Sequence, residues 1–159
     1  LMYQKILVPV DGSPTSNRGL QEAVQLAKLA GARLKLLHVI DEISFITSFD
    51  AGMGMTADML QLLKEGGEQV LLEATTLVRS AGLDVEAELV ESYAGRVSDL
   101  VIDKAREWGA QLIVLGTHGR RGVRRALLGS DAEQILRMAP VPVLLVRAPE
   151  VVEQVASAS

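Results

Sequence analysis

The chain has 159 residues, of which 48% are hydrophobic and 23% charged, the size and composition of one domain around a single core. A net charge of -4 and an aromatic content of 3% exclude a general nucleic-acid surface, which needs clustered Lys and Arg and platforms for base stacking. With no cysteine and only His38 and His118 as histidines, disulfides, thiolate metal sites and a multi-histidine zinc site are excluded as well.

Lys5 to Val10 reads as the first strand. Its apolar run is far too short for a signal-peptide core or a membrane span, which points to a cytoplasmic protein with no membrane partner. Ser13 then offers a helix N-cap with Pro14 at the first helical position, and Leu20, Ala23, Val24 and Ala27 recur at helical spacing until Gly31. Arg33 to Ile40 is the second strand. Asp41 to Met55 has no clean period, and Ala57 to Ala81 reads as a long helix in which Gly66-Gly67 predicts a kink or a fray. Val85 to Glu91 alternates as a third strand. Arg96 to Trp108 is a helix closed by Gly109, and Leu112 to Leu115 is a buried strand.

A last helix begins at Ser130, Pro140 bars its continuation, and Val141 to Val146 makes a fifth strand. Residues 148–159 read as a disordered C-terminal tail behind one domain over residues 2–147. Five strands alternating with about four helices predict an α/β fold, a single doubly wound, parallel, Rossmann-like sheet. Ligands bind such sheets beyond the carboxyl ends of the strands, where the strand order reverses.

Chemistry concentrates between the fourth strand and the fourth helix, from Gly116 to Ser130. Gly116, Gly119 and Gly129 let backbone approach a ligand closely and turn successive N–H groups toward an anion. Arg120, Arg121, Arg124 and Arg125 put positive charge in this one segment of an acidic chain. Ser130 and Glu133 are spaced as a capping box, so the Ser130 hydroxyl either caps the helix or meets a phosphate oxygen at its N-terminus. Asp11 ends the first strand, where a carboxylate can hold ribose hydroxyls or hydrated Mg²⁺; Asp-Gly-Ser is equally good turn chemistry. His118 reads as a loop hydrogen-bonding residue and His38 as a structural one.

Gly116-x2-Gly119-x9-Gly129-Ser130 resembles the glycine motif of the ATP-binding branch of the universal stress protein family. The opening Lys5-Ile6-Leu7-Val8-Pro9-Val10-Asp11-Gly12-Ser13, the second-strand Leu37-His38-Val39-Ile40-Asp41 and the closing Ala139 to Arg147 are similar to that family's other signatures. The resemblance spans residues 2–147. It implies an adenine nucleotide alpha hydrolase-like sheet, ATP with Mg²⁺ or Mn²⁺ in a cleft, a role in stress response, and homodimers paired through Val141 to Val146. It places Pro9 and Asp11 near base and ribose, Val39 against adenine through its backbone, Gly116 near the ribose, and Gly119, Gly129, Ser130 and the Asp131 amide at the phosphates. The alternative is a slow Mg²⁺-dependent ATPase or autophosphorylating enzyme, and phosphoryl transfer then needs a positioned nucleophile or water-orienting group. Gly52-Met53-Gly54-Met55-Thr56-Ala57 has the form of a dinucleotide fingerprint but lacks the strand that must precede it. No P-loop lysine is present in the glycine loop.

Overall fold

The computed structural model describes residues 2–42, 57–93, 95–117 and 128–147. In chain order these form β1 (Lys5–Pro9), α1 (Pro14–Ala30), β2 (Arg33–Asp41), α2 (Ala57–Ser80), β3 (Val85–Ser92), α3 (Val97–Trp108), β4 (Leu112–Gly116), α4 (Ser130–Met138) and β5 (Val143–Val146). The proposed C-terminal tail, 148–159, lies outside the described residues.

The five strands are all parallel in the order β3-β2-β1-β4-β5, so the chain winds outward from β1 and then returns to lay β4 along the other side of β1. This is the doubly wound sheet expected from the alternation of elements. Successive side chains on a strand point to opposite faces, and the strands are apolar on both. Ile6, Val8, Leu34, Leu36 and Val114 pack with the buried stripes of α1 and α2. Leu7, Leu37, Ile113 and Leu115 pack with Val101 and Ala105 of α3 and Ala132 and Ile135 of α4. Each face therefore carries two helices. Among the described residues no helix is long and apolar enough to cross a membrane.

Three differences from the sequence expectation bear on pairing and packing. β5 begins at Val143 rather than Val141, because Pro142 has no N–H to give a ladder, although its carbonyl accepts from Ile113 N at 3.0 Å. β1 ends at Pro9, and Val10 instead donates to Leu37 O at 2.8 Å. The third correction concerns Gly66-Gly67, where α2 runs unbroken. Gly67 is there for space: a Cβ at that position would lie 2.7 Å from both His38 Cδ2 and Leu89 Cδ1. His38 is buried and its Nδ1 lies 2.7 Å from Val10 O, so Nδ1 carries the proton and ties β2 to the end of β1. Its expected structural role is borne out.

Glu88 of β3 joins three elements, bonding Lys35 of β2 at 2.9 Å and Lys104 of α3 at 2.8 Å. The Lys104 hydrogen bond, with Lys35 behind it, holds the Glu88 carboxyl below its ordinary value of 4.5.

Two stability predictions follow from these contacts. Gly66 has open space around it, so Gly66→Ala should stabilise the protein by about 0.5–1 kcal/mol through helix propensity, whereas Gly67→Ala should destabilise it by about 1–2 kcal/mol through overpacking. Urea unfolding of the two neighbours should move the midpoint in opposite directions. The Glu88 pairs stabilise the fold fully above the unfolded carboxyl value and are lost as pH falls through the lowered folded value. Glu88→Gln should therefore lower stability at neutral pH by about 1 kcal/mol and flatten the acid limb of a stability-against-pH curve.

Candidate functional site

β1 and β4 are neighbours at the centre of the sheet, and the helices that follow them leave toward opposite faces. Their carboxyl ends thus frame the crevice of the switch point. On the β1 side the chain turns sharply after Pro9. Asp11 Oδ1 accepts from Ser13 N at 2.8 Å, Asp11 N donates to Ser16 Oγ at 3.1 Å, and Gly12 takes a φ of 79°. Ser13 Oγ then caps α1 by accepting from Ser16 N at 3.2 Å, with Pro14 in the first helical position. The turn chemistry read for Asp-Gly-Ser is therefore present, and it holds Asp11 at the mouth in a half-buried position.

On the β4 side, Gly116 is a packing residue. A Cβ there would lie 2.7 Å from the carbonyl carbon and oxygen of Thr15 and 2.9 Å from Ser16 N, all backbone. Gly19 supplies the reciprocal space, since its own Cβ would lie 3.3 Å from Gly116 N. The first turns of α1 lie directly on the end of β4.

The chain beyond Gly116 is held at both ends of the glycine motif. Thr117 N donates to Val146 O at 3.1 Å, and Thr117 O accepts from Gly129 N at 2.9 Å. Gly129 is the N-cap of α4, with φ -57° and ψ 148°, and as a glycine it gives that helix no side-chain cap of its own. The expected Ser130–Glu133 capping box does not form. Anchoring Gly129 to Thr117 starts the helix one residue earlier, so Ser130 stands inside the first turn and Glu133 pairs instead with Arg137 at 2.9 Å. Ser130 and Asp131 are exposed at this N-terminus.

Val39 lies near the end of β2, half-buried, on the face of α3 and beside Val90 of β3. At the end of β3, Glu91 bonds both Lys64 of α2 and the Tyr93 hydroxyl. The Lys64 hydrogen bond comes first among the effects that lower the Glu91 carboxyl, and Glu91 raises the Lys64 ammonium and the Tyr93 hydroxyl in return.

Pro9, Asp11, Val39, Gly116, Gly129, Ser130 and Asp131 accordingly all stand at the carboxyl end of the sheet, with Gly116 and Gly129 brought together through Thr117. Gly119, His118, the four loop arginines, residues 43–56 with their dinucleotide-like stretch, and Ala94 lie outside the described residues. Among the described residues no group of three His, Cys, Asp or Glu forms a metal cage. A divalent ion would fit here as a phosphate-bound, largely hydrated Mg²⁺ with Asp11 near it, since Mg²⁺ favours few carboxylates plus phosphate oxygens. Sequence reasoning missed Ser16, Gly19 and Thr117. Gly19 alone carried a signal, as a helix-interior glycine among apolar periodic neighbours.

Comparison with known proteins gives the same end-to-end likeness. The model of the Universal stress protein family matches residues 2–147. Universal stress protein MJ0531 of Methanocaldococcus jannaschii is 32% identical over 154 residues, covering 94% of this chain and 85% of the relative. The solved structure of hypothetical protein MJ0577 superposes with a TM-score of 0.77 at 27% identity, covering 94% of this chain and 99% of its own. A universal stress protein solved in complex with cAMP superposes with a TM-score of 0.65 at 26% identity, covering 94% of this chain and all, 100%, of its own.

Because backbone rather than side chain opposes a Cβ at Gly116, Gly116→Ala should cost about 3 kcal/mol, at the upper end of overpacking costs. Thermal unfolding of the variant beside Gly31→Ala, whose strain comes from its φ of 65° alone, checks that the loss comes from the contact between α1 and β4.

Proposed function

The chain belongs to the universal stress protein family, and we propose that it is an ATP-binding regulator of stress response that acts in the cytoplasm as a homodimer. The observation that carries the reading is the closure of the motif: Gly129 N on Thr117 O sets an α4 N-terminus with a glycine as its N-cap beside the end of β4. A helix start of this kind offers N–H groups and the positive end of a dipole to a phosphate. The Ser130 hydroxyl, released from capping, adds a donor there. The α1 N-terminus, by contrast, has its Ser16 amide capped by Ser13 and has Asp11 beside it. Support for an adenine nucleotide comes from the family member solved with cAMP.

In this reading the phosphates lie against Gly119, Gly129, Ser130 and the Asp131 amide, the ribose near Asp11 and Gly116, and the base against Pro9 and the Val39 backbone. Mg²⁺ or Mn²⁺ is held chiefly by the phosphates and water, with Asp11 as its protein carboxylate. The dimer is supported by the position of β5, an apolar strand at the edge of the sheet with Leu144 exposed, preceded in the chain by a helix that leaves Leu136 and Met138 exposed. An apolar edge strand is a ready template for pairing with a second copy.

Calorimetric titration of purified protein, stripped of any bound nucleotide, tests the site. Wild type should bind ATP·Mg²⁺, and Ser130→Ala should weaken it about tenfold, the loss expected for a hydrogen bond to a charged group. Gly129→Ala, which its φ and ψ tolerate, should weaken it further if a phosphate lies against that backbone. A wild type that takes up no ATP refutes the proposal. Sedimentation velocity at micromolar concentration should show a dimer that Leu144→Glu converts to monomer.

A further inference from the structure

Two buried side-chain oxygens have no hydrogen-bond partner among the described residues, Glu42 Oε1 and Ser98 Oγ. Both stand at the carboxyl-end rim of the sheet, Glu42 directly after β2 and Ser98 in the first turn of the helix that follows β3. Native proteins leave few buried polar atoms unpaired, and the chance that both exceptions fall at the ligand end is a reason to look for a polar ligand there.

Ser98 is the more informative of the two. It is 1% exposed and belongs to the stripe Ser98, Val101, Ile102 and Ala105 that α3 turns toward the sheet. Within that stripe it lies one turn nearer the rim than Val101 and Ile102. Its neighbour Val97 packs, together with Val39 of β2, against the core cluster on that face. The N-cap residue Arg96 gives α3 no side-chain cap, and of the first-turn N–H groups Asp99 N donates to Arg96 O at 3.1 Å.

The geometry of the sheet gives the distance. Neighbouring strands lie about 4.8 Å apart, so the ends of β4, β1 and β2 span about 10 Å, comparable with the reach from the phosphates to the base of an extended nucleotide. A nucleotide with its phosphates at α4 would then bring its base to Val39 and the start of α3. We infer that the Ser98 hydroxyl hydrogen-bonds the adenine base at this N-terminus, making the first turn of α3 a base-reading element; this rests on the nucleotide reading of the site. The partial positive charge of a helix start favours an acceptor opposite it, so the hydroxyl donates to a ring nitrogen of the base.

The test titrates ATP·Mg²⁺ and inorganic tripolyphosphate against wild type, Ser98→Ala and Ser98→Cys. Cysteine keeps the shape of the side chain at a somewhat larger volume but is a weak donor. Both variants should bind ATP about five- to tenfold more weakly, the size expected for one neutral hydrogen bond, while tripolyphosphate affinity stays at the wild-type value. Melting of the ligand-free protein should be unchanged or raised in Ser98→Ala, because an unpaired buried hydroxyl has been removed. Wild-type ATP affinity in both variants overturns the inference alone. So does an equal loss for ATP and tripolyphosphate, or a lowered melting temperature that parallels the loss of ATP binding. A wild type that binds neither ligand overturns the nucleotide reading as well.

Discussion

The molecule turns on a contact between two stretches of backbone. At Gly116 the end of β4 meets the first turn of α1 with no room for a Cβ, and Gly19 clears the space from the helix side. β4 lies next to β1, where the winding of the sheet reverses, so this contact fixes how far the two central strand ends stand from the helix that leaves between them. Thr117 follows at once. Its N–H is taken by β5 and its carbonyl by Gly129, so the position of α4 is inherited from the same point. Any side chain at Gly116 would displace α1, Thr117 and the start of α4 together.

The two helices at the crevice are treated differently by their own sequences. α1 begins with a serine cap that takes Ser16 N and a proline that has no N–H, and an Asx turn from Asp11 takes Ser13 N just before it. α4 begins with a glycine that can provide no side-chain cap, and Ser130 sits too far into the helix to substitute for one. The orphan amides of a helix start must go to side chains, water or a ligand. Of the two N-cap residues, only Ser13 supplies a side chain to this accounting. Electrostatics agrees, because the Asp11 carboxylate stands at the capped end.

Most of the fold was legible in the sequence because its signals are local. β-branched runs, the Ser13-Pro14 start and the closing glycines at Gly31, Gly82 and Gly109 each mark an element without reference to the rest of the chain, and parallel order follows from their alternation. What sequence could not supply was the partner of each glycine. Gly67 looked like a weak point in a helix and is the place where His38 and Leu89 press against it. Gly116 looked like a ligand contact and proves also to be where α1 rests. The capping box at Ser130 failed for the same reason, since its register depended on a hydrogen bond from Gly129 to Thr117 across the loop.

Position in the site therefore carries more than residue type does. Ser13, Ser98 and Ser130 each stand at or within the first turn of a helix, and a propensity scale treats them alike. Ser13 is consumed by its cap. Ser130 stands exposed at a helix end whose N-cap is a glycine, and Ser98 is enclosed with its hydroxyl unpaired. Burying a hydroxyl without a partner costs stability that a serine-to-alanine change would recover. A fold that spends an internal cap on α1 and leaves the other two hydroxyls outside any cap has separated the helix start it closes from those at which a ligand can complete the bonding.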